Sequence, residues 1–181
     1  MPLTQVDEKA ALIVIDLQKG IVGLGLPGIE HVVAKSAALA KRFREKGQTV
    51  VLVNVTARAP GRTDTSWNRP LPPDFAELIS ELEQAESDVL ISKQRVGAFL
   101  GTELDAELKK RGVTQVFFVG VATGSGVEST ARSAFDLGYN VVFVSDAMLD
   151  MSAETHAHCV EKAFPKLGEV ETSEGVLAKL A

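Results

Sequence analysis

Asp16 ends the apolar run Ala11-Leu12-Ile13-Val14-Ile15 and is followed by Leu17 and Gln18. A carboxylate at the end of a hydrophobic strand is costly to bury unless it meets a partner or a substrate. It is therefore either a site residue or the cap of the turn that follows. Lys93 holds a comparable place after Asp88-Val89-Leu90-Ile91. Its alternatives are an ammonium brought to a site and an exposed lysine, the commoner fate of that residue. A third position follows Val116-Phe117-Phe118-Val119, where Gly120-Val121-Ala122-Thr123-Gly124-Ser125-Gly126 leads into the amphipathic stretch from Val127 to Leu137. That pattern reads as strand, tight turn and helix. Backbone N–H groups gather at such a helix start and suit an oxyanion or a polar substrate group.

The elements that would carry these residues alternate along the chain. Short β-rich runs occur at Ala11–Ile15, Thr49–Val53, Asp88–Ile91, Val116–Val119 and Asn140–Val144, and such near-continuous apolar strands are buried on both faces. Helical patterns fall between them, near Gly28–Lys46, Thr102–Arg111, Val127–Leu137 and Ala153–Phe164, with glycine at several of the stops. A sixth strand near Gly168-Glu169-Val170 and a last helix from Ser173 complete the set. The alternation implies a single three-layer α/β domain over residues 1–181. In a doubly wound sheet of this kind, ligands bind beyond the carboxyl ends of the strands. The Pro- and Gly-rich stretch from Ala59 to Pro73, with Trp67 inside it, leaves from one such end and is a candidate wall, lid or subunit contact.

Composition narrows the function classes. A net charge of -5 gives no electrostatic footprint for nucleic acid and no basic patch for a membrane surface. Small molecules and other protein subunits are the expected partners. The single cysteine, Cys159, cannot close an internal disulfide, and Met1–Lys9 has neither the basic flank nor the apolar core of a signal peptide. A cytoplasmic location is expected, and no apolar run approaches the roughly 20 residues of a spanning helix.

The order of Asp16, Lys93 and the Gly120–Gly126 turn across three strand ends resembles the isochorismatase-like (cysteine hydrolase) superfamily. The likeness extends from Ile13 to Val176. It includes a hydrophobic strand ending in Asp-x-Gln, the run from Lys93 to Ala98-Phe99, and Val127-Glu128-Ser129-Thr130-Ala131-Arg132. It implies an α/β/α sandwich around a mostly parallel, six-stranded Rossmann-like sheet, assembled as a homo-oligomer, dimer or tetramer. It also implies that Asp16 and Lys93 are catalytic, that they titrate as a coupled unit, and that Gln18, Trp67, Phe99, Val121, Ala122 and Thr123 contribute to substrate binding. The Val121–Ala122 peptide bond is of the kind often cis in the family. Gly126 occupies the position that usually holds the catalytic cysteine, which places the chain in a subgroup with glycine there. The amidases of the family form a thioester at that cysteine, with the aspartate as base. Isochorismatases proper hydrolyse a vinyl ether with no covalent nucleophile, the aspartate acting as an acid on the enol carbon. The resemblance therefore implies a hydrolase of the second type, with a non-catalytic small-molecule binding protein as the alternative.

Substitutes for the missing thiol are poor. Ser125 is not set in a Gly-x-Ser-x-Gly elbow, and Cys159 lies in a late helix, where a small buried side chain is the default. His156 and His158 point to different sides of a helix and make a poor metal pair. The Asp-x-His metal motif of the nicotinamidases is missing from Asn54-Val55-Thr56-Ala57-Arg58, so neither metal nor cofactor is expected. Gly124-Ser125-Gly126-Val127-Glu128-Ser129 also resembles a dinucleotide fingerprint, but it follows the fourth strand, whereas that fingerprint follows the first.

Overall fold

The structure, a computed structural model, describes residues 3–64 and 70–180. Six strands form one sheet: β1 (Ala10–Ile15), β2 (Thr49–Val55), β3 (Val89–Lys93), β4 (Gln115–Val121), β5 (Asn140–Leu149) and β6 (Glu169–Glu171). Their order is β3-β2-β1-β4-β5-β6, and every strand pairing is parallel. Parallel neighbours need crossover connections, and these carry α1 (Lys19–Val22), α2 (Ile29–Glu45), α3 (Leu104–Lys110), α4 (Glu128–Asp136) and α5 (Ala153–His158), while α6 (Ser173–Lys179) follows the last strand.

Successive side chains of a strand point to opposite faces, so each apolar run supplies two cores. Ala10, Leu12 and Val14 of β1 pack under Val32, Leu39 and Phe43 of α2, with Val176 of α6 on the same side. Ala11, Ile13 and Ile15 join Leu104 and Leu108 of α3, Ala131 and Ala134 of α4, and Phe164 on the other. Each fully buried Leu, Ile or Phe contributes about 1.5–3 kcal/mol, so neither face of the sheet could be left uncovered. The result is the expected α/β/α sandwich.

Three details differ from the sequence reading. Asp88 lies before β3 and Lys93 is its last residue, so the lysine is held in the strand and does not follow it. The helix expected over Ala153–Phe164 is α-helical only to His158. It then widens into a π-type turn at Cys159–Ala163 and tightens at Phe164–Lys166, where Pro165 has no N–H to continue an α-helix. The short helix α1 was not anticipated. It packs against the returning end of the Pro-rich loop so closely that a Cβ on Gly20 would stand 2.0 Å from the Phe75 ring. None of the helices among the described residues is long and apolar enough to cross a membrane.

Strands run outward from β1 to β3 and, after the crossover through α3, outward again from β4 to β6. Connections leaving β1 and β4 therefore diverge to opposite faces, and a crevice opens between their carboxyl ends. Asp16 follows β1 and the Gly-rich turn follows β4, so both border that crevice.

Candidate active site

Asp16 leaves the line of β1 with φ 55. A short polar side chain is among the few that accept this left-handed conformation. Its N–H still donates to Val53 O at 2.9 Å, as a continuing strand would, while its carbonyl accepts from Gln18 N at 2.9 Å and starts the turn. The carboxylate is thus fixed over the sheet end and is only 7% exposed. Lys93 reaches it across the end of β2, a span of two strand spacings of about 4.8 Å each. The ammonium, 2% exposed, lies 2.8 Å from Asp16 Oδ2 and donates to Arg95 O at 3.3 Å and Val96 O at 3.0 Å. Those three acceptors match the three protons of an ammonium.

The other carboxylate oxygen, Asp16 Oδ1, is buried and has no hydrogen-bond partner among the described residues. Burial is the largest influence on the group and pushes its pKa up from 3.8 to about 6, with the Lys93 cation opposing. A carboxyl tuned there exchanges protons near neutral pH.

Gly126 closes the third side. An added Cβ would meet Ile15 Cγ2 at 3.1 Å and Asp16 Oδ2 at 3.3 Å, so glycine leaves the space beside the carboxylate open. The turn itself, Thr123–Val127, is a π-type turn that runs into α4, and the Val121–Ala122 peptide before it is cis. Asp16, Lys93, Gly126, Val121 and Ala122 all line one cavity of about 320 Å³.

Several residues expected at the substrate stand elsewhere. Gln18 is fully buried and clamps the end of β2. Its Nε2 donates to Val55 O at 3.1 Å and Phe75 O at 2.8 Å, and its Oε1 accepts from Val55 N at 2.7 Å. An amide so fully bonded positions the loop beside the cavity and does not line it. Thr123 is also fully buried, its hydroxyl 2.9 Å from His156 Nδ1 behind the turn. Phe99 packs toward Tyr139, with ring centroids 6.1 Å apart, because the loop after β3 turns it to the α3 face. Trp67 lies outside the described residues. The turn's amides are also less available than a helix start suggests. Gly124 N donates to Asp150 Oδ2 at 2.8 Å, and Ser125 N and Val127 N both donate to Ala122 O at 3.1 Å.

The cavity has a rim that sequence reasoning missed. Arg58 and Arg95 line it, together with the half-exposed Leu24 and Val96 and the exposed Met151. Arg58 lies just beyond Thr56 and Ala57 after the end of β2, and a survey of every strand end would have found it. Leu24 depends on the unanticipated turn at α1, which no motif announced.

Cys159 is no reserve nucleophile. Its thiol donates to Glu128 Oε2 at 3.3 Å, and burial, with that carboxylate beside it, pushes it up to about 12. Iodoacetamide at pH 7.5 is expected to leave the folded protein unmodified by mass spectrometry. Cys159→Ala should cost on the order of 1 kcal/mol in stability and nothing in turnover. Rapid alkylation accompanied by loss of activity would contradict the assignment.

Residues 10–175 match the family model described as the isochorismatase domain. The chain is 37% identical over 181 residues to the isochorismatase family protein YwoC of Bacillus subtilis, covering 96% of this chain and 95% of that one. A solved isochorismatase family protein from Burkholderia thailandensis superposes with a TM-score of 0.93 at 38% identity, over 97% of each chain. The ureidoacrylate amidohydrolase RutB of Variovorax paradoxus is 29% identical over 178 residues, 81% of this chain and 71% of that one.

Proposed function

The chain belongs to the isochorismatase domain family, and on that premise we propose that it hydrolyses a small molecule of vinyl-ether type without a covalent nucleophile. The observation that carries this reading is the buried Asp16–Lys93 pair facing Gly126, a carboxyl with a pKa near 6 beside a position that has no thiol or hydroxyl. Protonated Asp16 would deliver its proton to the terminal enol carbon, leaving an oxocarbenium ion on the ether carbon. Water would add there and return one proton to the Asp16 carboxylate. The hemiketal would then collapse to a ketone and the free alcohol. Lys93 stabilises the carboxylate in the interval when it has given up its proton.

Two further features support an acid-catalysed route over acyl transfer. Three of the turn's amides are occupied within the protein, which weakens an oxyanion hole, and the only cysteine is bonded to Glu128. Arg58 and Arg95 form no ion pair among the described residues, so an acidic group on an otherwise apolar substrate suits the rim. The test is a panel of vinyl ethers and amides assayed with wild type and Asp16→Asn. Saturable, Asp16-dependent release of ketone is expected. Binding without turnover across the panel would favour the alternative, a non-catalytic binding protein, which the bare Gly126 also suits.

Assembly into a dimer or tetramer is proposed as well. Leu90, Val96 and Leu100 are exposed on and beside the edge strand β3 and supply apolar surface for a subunit contact. Light scattering at micromolar concentration should report more than one chain per particle, and a monomer there would refute the proposal.

A further inference from the structure

The loop that holds Lys93 and the turn that holds Gly126 are joined by one buried hydroxyl. Thr130, in the first turns of α4, is fully buried. Its Oγ1 accepts from Ala98 N at 3.1 Å and donates to Gly126 O at 2.6 Å. Ala98 is itself fully buried and follows directly on the segment whose carbonyls, Arg95 O and Val96 O, receive the Lys93 ammonium. Between them the backbone at Gly97 lies so near α4 that a Cβ would stand 2.8 Å from Ser129 Oγ and 3.4 Å from the Ser129 carbonyl. Gly97 has no positive φ, so close approach is the reason for glycine there.

These contacts form a closed ring. Asp16 meets Lys93, Lys93 meets the loop carbonyls, the loop meets Thr130, Thr130 meets Gly126, and Gly126 stands over Asp16. The flexible member is the lysine side chain, whose ordering costs up to about 2 kcal/mol. It stays in place only if its acceptors do. We propose that Thr130 is a positioning residue whose hydroxyl fixes the Lys93 ammonium against the Asp16 carboxylate and both against Gly126. A hydroxyl is required because the site needs an acceptor for Ala98 N–H and a donor for Gly126 C=O on one short side chain. The consequence for rate rests on the roles proposed above for Asp16 and Lys93, whereas the geometry does not.

The experiment is a ¹³C NMR titration of the Asp16 carboxyl in the full chain, assigned by difference from Asp16→Asn. Thr130→Val keeps the shape and removes both bonds. It is expected to raise the Asp16 midpoint by about one pH unit, because a retreating cation no longer opposes burial. Thr130→Ser keeps both bonds and should titrate close to wild type. Gly97→Ala, which pushes the same loop off α4 with the hydroxyl intact, should also raise the midpoint, and it decides the matter if Thr130→Val does not fold. A folded Thr130→Val with the wild-type midpoint, or a Thr130→Ser displaced as far as the valine variant, would overturn the role. Failure to find turnover on any substrate would refute the proposed hydrolysis and leave the titration result standing.

Discussion

Asp16→Asn is expected to lower the hydrolytic rate by on the order of 10²–10⁴-fold, the usual range for losing a general acid. Asparagine is a clean replacement. It accepts the left-handed conformation at φ 55 as readily as aspartate does, and its amide oxygen can still accept from Lys93. Loss of rate would then report the proton and not a displaced chain. The pH profile of kcat/KM gives the sign of the role. With the carboxyl at about 6, an acid works in its protonated form, so activity should be level below that value and fall about tenfold per pH unit above it. An amidase that used the same residue as a base would show the opposite slope, rising through the same region. A profile that rises between pH 5 and 7, or an asparagine variant with full activity, would sink the acid assignment.

Lys93→Met should be the most destabilising change in the site, and the loss should depend on pH. The methionine fills most of the lysine's volume but leaves a buried carboxylate without its cation, which typically costs about 3–5 kcal/mol. For a chain of 181 residues that amounts to roughly 6–20 °C in Tm. The sign follows from linkage. In wild type the folded pKa of Asp16 already lies above the unfolded value of 3.8, so the folded state binds the extra proton. The cost of ionising Asp16 is absent below 3.8 and complete, at about 3 kcal/mol, above 6. Without the lysine the folded value climbs further and the cost grows. Melting curves at pH 8 should therefore show a large gap between wild type and variant, and curves near pH 4 should show only the small packing change. An equal gap at both pH values would mean that the lysine matters for packing and not for charge.

Much of the scaffold could be read from local pattern. Near-continuous apolar runs such as Val116–Val119 can only be strands covered on both faces, and parallel strands covered on both faces require helices between them. The three layers followed from that, as did the placing of Asp16 and Gly126 at carboxyl ends, whereas the strand order β3-β2-β1-β4-β5-β6 came from the structure. Departures arose where one residue's geometry overrode a periodic pattern. Pro165 has no N–H to extend the helix expected through Phe164, and the turn at Gly20 packs against Phe75, which returns over it and accepts from Gly20 N at 3.0 Å. Neither relation is visible within a window of a few residues.

Residue types and their order along the chain, together with the family resemblance they carry, marked Asp16, Lys93 and Gly126 as the candidate site, because strand ends of a doubly wound sheet bring distant positions to one edge. The direction each side chain takes at that edge is a tertiary property. Gln18 and Thr123 sit in the same turns as the reacting groups yet point backward, into hydrogen bonds with Val55, Phe75 and His156. Arg58 and Arg95 were given no role by the sequence yet border the cavity. The proton affinity of Asp16 was decided there too. Its sign depends on the balance between burial, which only the packed neighbours supply, and one ammonium held at 2.8 Å from across β2. Sequence identifies both charges, but only the folded chain sets their separation and removes the water between them.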